Sequence, residues 1–261
     1  MQLLPRHSLI VLAIGLLSAT SFAADHAKPR PDTAVQVLQP LSPGLTLPIE
    51  LTHALKAGHT KPGAPVHGFT TQRIPLSPTT YLPRAAEVTG TVLTSIAPDK
   101  KTGRVAVLTI RFDSLRYRQQ VVPLLAEALA IANFTEVEDT FASTNDGSDK
   151  GNSSSANWTT TQVGGDQVCR SDWTGPVLSS STQPVGFADF HGVYANPPPG
   201  ASGPAAIPRA VGVFSTTAHG LYGFDFADKL SSSGRDITIT ANGNLVLRTG
   251  DDLLLKALPT P

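Results

Sequence analysis

One segment in the second half of the chain crowds together side chains able to do chemistry: Val213–Phe226, VFSTTAHGLYGFDF. It sets Phe214, Tyr222, Phe224 and Phe226 around Gly220 and Gly223, with His219 between small residues. An imidazole acts as a general base near neutral pH when a carboxylate orients it, and Asp225 and Asp228 are the nearby acids. The same aromatics suit a platform for a sugar or for a partner's strand. A third reading needs no ligand, because the rings would fill a barrel core and the glycines would mark a bulge. The candidate binding residues are therefore Phe214, His219, Tyr222, Phe224 and Asp225, and no residue is assigned a catalytic role.

The better-known reactive patterns are missing. No Gly-x-Ser-x-Gly nucleophile elbow occurs, which excludes an α/β-hydrolase, and neither a glycine-rich phosphate loop nor a His-Glu-x-x-His pair is found. His53, His59 and His67 lie close in sequence, but their spacing does not share a helix face and no Cys or carboxylate cluster joins them. They read as surface or turn histidines. A calcium loop counted from Asp146 fails at Lys150 and at Asn157, where oxygen and carboxylate ligands are required. No metal or cofactor is expected.

The elements that would carry such residues read as strands. In Tyr81–Leu115, β-branched residues recur with period two over Glu87–Ile96, with Val88, Gly90, Val92 and Ile96 on one face. A return strand, Arg104–Phe112, puts Ala106, Leu108, Ile110 and Phe112 on one face, and its first half is apolar on both. Between them Pro98-Asp99-Lys100-Lys101-Thr102-Gly103 has proline to enter a turn and glycine to leave it. Leu45–Leu51 and Val66–Arg73 read as two earlier strands. Residues 121–132 are ambiguous: Leu124, Leu125, Ala128 and Leu129 fit helical spacing, while Val121-Val122-Pro123 starts like a strand, and the strand is preferred.

Downstream, short β-like runs occur at Thr159–Val163, Gln167–Arg170, Val177–Ser179, Ala210–Ser215, Gly220–Phe226, Asp236–Ala241, Asn244–Leu247 and Asp252–Leu258. Asn242-Gly243 between two of them signals a type I′ hairpin. The proline-rich Asn196–Pro208 must be an exposed loop. This pattern predicts an all-β protein: a barrel-like module over 44–133, a polar linker over 134–158, and a second sandwich- or barrel-like module over 159–261.

The opening residues have the layout of a secretory leader: Arg6 and His7, the apolar Leu9–Leu17, then Ser21-Phe22-Ala23 for cleavage. The apolar run is shorter than the ~20 residues of a membrane helix, so residues 1–23 are expected to be removed, leaving no span. A proline-rich extended arm would follow over 24–43. Lys+Arg and Asp+Glu both number 20, and this neutrality argues against nucleic acid as a partner. The single cysteine, Cys169, cannot form an intramolecular disulfide, so stability must come from packing.

Gly63-Ala64-Pro65-Val66-His67-Gly68, then Leu82-Pro83-Arg84-Ala85-Ala86-Glu87-Val88-Thr89-Gly90, then Arg104–Leu115 and Val122-Pro123-Leu124 follow one another in order. Over 44–131 this resembles the periplasmic β-barrel of TrbI-type proteins of conjugation and type IV secretion systems. The resemblance implies a barrel for the first module and other envelope proteins as partners. Ala85 and Ala86 stand where the family pattern has Gly and Ser, and the family's inserted apolar helical pair has no counterpart here. The expectation is an exported envelope protein, periplasmic or beyond, with a binding or structural-accessory role; the alternative is a secreted hydrolase or carbohydrate-active protein with its site near His219.

Overall fold

Alternating burial, not local propensity, decides where this chain makes strands. In the computed structural model, which describes residues 40–142, 158–171 and 173–259, everything discussed below lies within the unit Val37–Pro261. The expected leader, the arm up to residue 39 and the Asn145–Ala156 stretch fall outside the described residues.

The first half runs β1 (Thr46–Leu51), β2 (Leu55–Lys56), β3 (Pro65–Thr70), β4 (Ile74–Pro75), β5 (Tyr81–Leu82), β6 (Glu87–Ile96), β7 (Ala106–Tyr117), β8 (Gln120–Pro123), β9 (Ala126–Ala132) and one short helix, α1 (Phe134–Asp139). The second half runs β10 (Trp158–Thr161), β11 (Gln167–Arg170), β12 (Gly175–Leu178), β13 (Pro184–Asp189), β14 (Gly192–Ala195), β15 (Arg209–Ala210), β16 (Gly220–Tyr222), β17 (Lys229–Ser233), β18 (Asp236–Ala241), β19 (Val246–Leu247) and β20 (Asp252–Ala257).

Ten strands form one strongly curved sheet in the order β16-β9-β20-β1-β3-β6-β7-β18-β17, with β8 on β7. The end strand β17 reaches β9, next to the other end, where the Ala128 N–H of β9 donates to Ser232 Oγ of β17 at 3.3 Å, so the sheet is a nearly closed barrel. Leu47, Ile49, Phe112, Ile237, Leu253 and Leu255 are fully buried in its interior. The β6–β7 hairpin is as expected, and its turn is closed by a bridge between Asp99 and Arg104 with Gly103 at φ 72. Two register shifts interrupt that pairing. The one between Val92 and Thr94 turns the strand over, so Ile96, expected on the inner face, is exposed.

A third bulge has larger consequences. In the β9–β20 ladder Leu255 faces Ala128 but Leu254 faces Ala130, leaving Leu129 as the extra residue. The bulge reverses the parity of β9, so Ile131 points into the barrel while Ala130 and Ala132 point out with Leu254. These outward residues pack with Val137, Val163, Phe214 and Ala218 in a second small core. The strand preferred over a helix at 121–132 is therefore present, as β8 and β9.

The separate six-stranded sheet is an antiparallel meander, β10 to β15, with Val168, Val177, Ala188, Val193 and Ala195 in its own core. Buried Gln72 locks it to the barrel: its Nε2 donates to the Val193 carbonyl and its Oε1 accepts the Val193 N–H, both at 2.9 Å. The segment 159–261 is thus divided between two sheets, since β16, β17, β18 and β20 complete the barrel begun by the first half. The Asn242-Gly243 hairpin does not form. Neither residue has the positive φ a type I′ turn needs, β18 pairs with β7 and β17, and β19 pairs instead with β2. Strands β13, β14 and β17 were not expected from the sequence.

Candidate functional site: a cleft between the barrel and the second sheet

The outer face of β1 and β20 does not pack fully against the second sheet, and a cleft of about 790 Å³ remains between them. Its floor includes Glu50 and Asp252, which are direct cross-strand partners, and its walls come from α1, the 71–84 loops and the β10–β14 sheet.

Aromatic side chains surround the opening, and several are held there by purpose-built turns. Ser171 and Thr174 exchange backbone hydrogen bonds of 2.7 and 3.1 Å, placing Trp173 at the tip of the β11–β12 turn. Trp173 sits at φ 71 and is 57% exposed, a backbone region that a bulky residue occupies only at a cost. Trp158 meets it edge-on, with ring centroids 5.2 Å apart. Between β13 and β14, Asp189 Oδ1 accepts the N–H groups of His191 and Gly192 at 2.7 and 3.1 Å, and this turn carries Phe190, 70% exposed. The guanidinium of Arg73 lies 3.9 Å over the ring of Tyr81.

α1 hangs over the same opening. Asn133 caps it by accepting the Glu136 N–H at 3.0 Å, and Asp251 Oδ1 accepts the Phe134 N–H at 2.8 Å. The second oxygen of Asp251 accepts the Arg248 N–H at 2.7 Å. So pinned, the helix presents Phe134 and Glu138 to the cleft, and Phe141 follows just beyond it.

Among the described residues, the charged side chains inside have no ionic partners: Arg73, Arg84 and Arg170 line the cleft with Glu50, Glu138, Asp189 and Asp252, and none of them forms a salt bridge. Burial pushes the Arg170 guanidinium below its ordinary value, and it donates to Thr160 Oγ1 at 3.3 Å. Asp252 is 2% exposed and its carboxyl has no hydrogen-bond partner among the described residues. Burial first, then the charges of Glu50 and Asp251, push it up to about 8, so at neutral pH it holds its proton.

None of the five candidate binding residues, Phe214, His219, Tyr222, Phe224 and Asp225, lines this cleft. Phe214 is fully buried in the second small core, with Tyr222 packed at its edge. Phe224 packs against the barrel core, Asp225 is exposed, and Phe226 is fully exposed. His219 is exposed, and its backbone N–H donates to Tyr222 Oη at 3.1 Å, while its imidazole has no carboxylate partner among the described residues. The fold thus brings Phe214 and Tyr222 together as packing and leaves His219 and Asp225 in solvent. His53 and His67 face one another with centroids 5.7 Å apart, and His59 sits in an exposed turn elsewhere.

The cleft residues escaped sequence reading because they come from many separate stretches spread between Glu50 and Asp252. One signal was available: the chain has only two tryptophans, Trp158 and Trp173, and both line the cleft. No family model matches the chain, and no curated protein or solved structure matches it significantly.

Proposed function

We propose that this protein is exported to the cell envelope and acts there by binding, with the cleft between barrel and second sheet as its site. The carrying observation is the cleft itself, about 790 Å³ and fringed by exposed Trp173, Phe141, Phe190 and Tyr81. Exposed rings on a concave surface that also holds unpaired charges are what binding sites offer. The leader-like 1–23 segment supports export, and the TrbI-type resemblance over 44–131 supports an envelope setting with other envelope proteins nearby. Neither extends to a channel. The His219 imidazole, exposed and without a carboxylate partner among the described residues, gives no support to the alternative of a hydrolase site there.

The test uses the whole protein expressed with its leader. Fractionation and N-terminal sequencing read where it goes and where it is cut, and cross-linking through a photoreactive group at Phe190 reads what occupies the cleft. Mature protein kept in the cytoplasm, or a Phe190 probe that captures nothing while a probe on the far side of the barrel does, defeats the proposal.

A further inference from the structure

Among groups lying outside the residues the sequence singles out, Asp252 is the least explained. A carboxyl at 2% exposure normally has hydrogen bonds to offset its loss of water, and Asp251 next to it has two. Asp252 has none among the described residues, yet it lines the cleft, directly across the ladder from Glu50. Its oxygens are not among the fully enclosed unpaired side-chain atoms, so the carboxyl is open to hydrogen-bonding from the cleft side.

The rest of the cavity says what chemistry would meet it there. With Asp252 protonated, three arginines face three carboxylates, so the walls carry no net charge with which to select an anion or a cation. Donors and acceptors alternate around exposed aromatic faces: Arg170 and Arg84 donate, Glu50 and Glu138 accept, and a neutral Asp252 does both. A neutral ring molecule with apolar C–H faces and a rim of hydroxyls matches this set, since its faces stack on the aromatics while its hydroxyls exchange hydrogen bonds with the side chains.

We infer that the cleft binds a neutral oligosaccharide, with Asp252 hydrogen-bonded to a sugar hydroxyl and Trp173 stacked on a sugar ring. This rests on the binding proposal above and specifies its ligand.

Because both tryptophans line the cleft, their fluorescence reports occupancy by any ligand. The mature protein is titrated with neutral hexasaccharides (chitohexaose, cellohexaose, maltohexaose), with a hexamer of galacturonate, and with acidic and basic hexapeptides. The expected result is a saturable change for at least one neutral sugar and none for the charged probes. Trp173→Ala, at an exposed turn, weakens that binding at least tenfold. Asp252→Ala does the same, whereas Asp252→Asn, which keeps a donor and an acceptor, stays within about threefold, with circular dichroism confirming that each variant is folded. Saturation by a peptide or by galacturonate alone overturns the sugar and leaves the cleft as a binding site. No saturable change with any probe, together with an unoccupied Phe190 cross-linker, overturns both. Equal loss in Asp252→Asn and Asp252→Ala, or an unaffected Trp173→Ala, overturns the roles given to those residues.

Discussion

At the scale of single residues, the facing pair Glu50 and Asp252 sets a pH dependence of stability. Two acids opposed across an antiparallel ladder cannot both ionise cheaply, and the buried one yields. In the unfolded chain Asp252 would ionise near the ordinary carboxylate value of about 4. Its folded value of about 8 means that the native state binds the extra proton between those limits, so stability falls as pH rises through that window. The slope expected from this one group is at most about 1.4 kcal/mol per pH unit. Asp252→Asn should flatten it and raise the melting temperature at pH 8; urea melts at pH 5, 6.5 and 8 read the difference, and parallel curves for wild type and variant would count against it. Ala85 offers a second case. It stands at φ 65, a conformation glycine takes freely, and its N–H donates to the Thr70 carbonyl at 2.9 Å. Ala85→Gly should therefore stabilise by up to about 1 kcal/mol, the relief of left-handed strain less the entropy glycine adds to the unfolded chain.

At the scale of elements, the bulges do work that no alternation pattern announces. The β6–β7 hairpin was legible because its Val, Thr and Ile positions alternate and its turn residues fit, and β11 and β18 were legible for the same reason. Bulges were not, since each depends on which partner strand lies opposite, and one extra residue exchanges inside for outside. That is why Ile96 lies on the face opposite to the one its parity predicts, and why the Asn242-Gly243 turn misled: instead of each other, its flanking strands pair with β7 and β2, more than 120 residues away by sequence and beyond any local signal. The aromatic run at 213–226 shows the same limit, because composition shows a cluster but not which of its rings the fold buries: Phe214 is fully buried and Phe226 fully exposed. Close approach at Gly90 gives this scale its prediction. A methyl group there would meet the Arg111 carbonyl oxygen and the backbone of Phe112. Gly90→Ala should cost about 1–3 kcal/mol by chemical denaturation, because backbone cannot move aside as a side chain can. A loss under about 0.5 kcal/mol would show that the bulge beside it absorbs the methyl group.

For the whole molecule, the decisive fact is that β20 sits between β9 and β1 and that β18 closes on β7. A fragment stopping at residue 142 lacks both, and should give neither a cooperative thermal transition nor dispersed amide resonances. Folding of that fragment would show the 44–133 module to be independent. Deleting Asp252–Ala257 alone should be nearly as damaging, since it opens the middle of the sheet and exposes Leu47, Ile49 and Ile131. The same placement of β20 sets a schedule. As the chain emerges from a ribosome, β1 and β9 appear early and must wait, unpaired on the sides where they will later meet β20, until more than a hundred further residues have been made. Such long-range pairing folds slowly. Under the export proposed above, that delay keeps the chain threadable, because the barrel cannot lock before Asp252–Ala257 has been delivered.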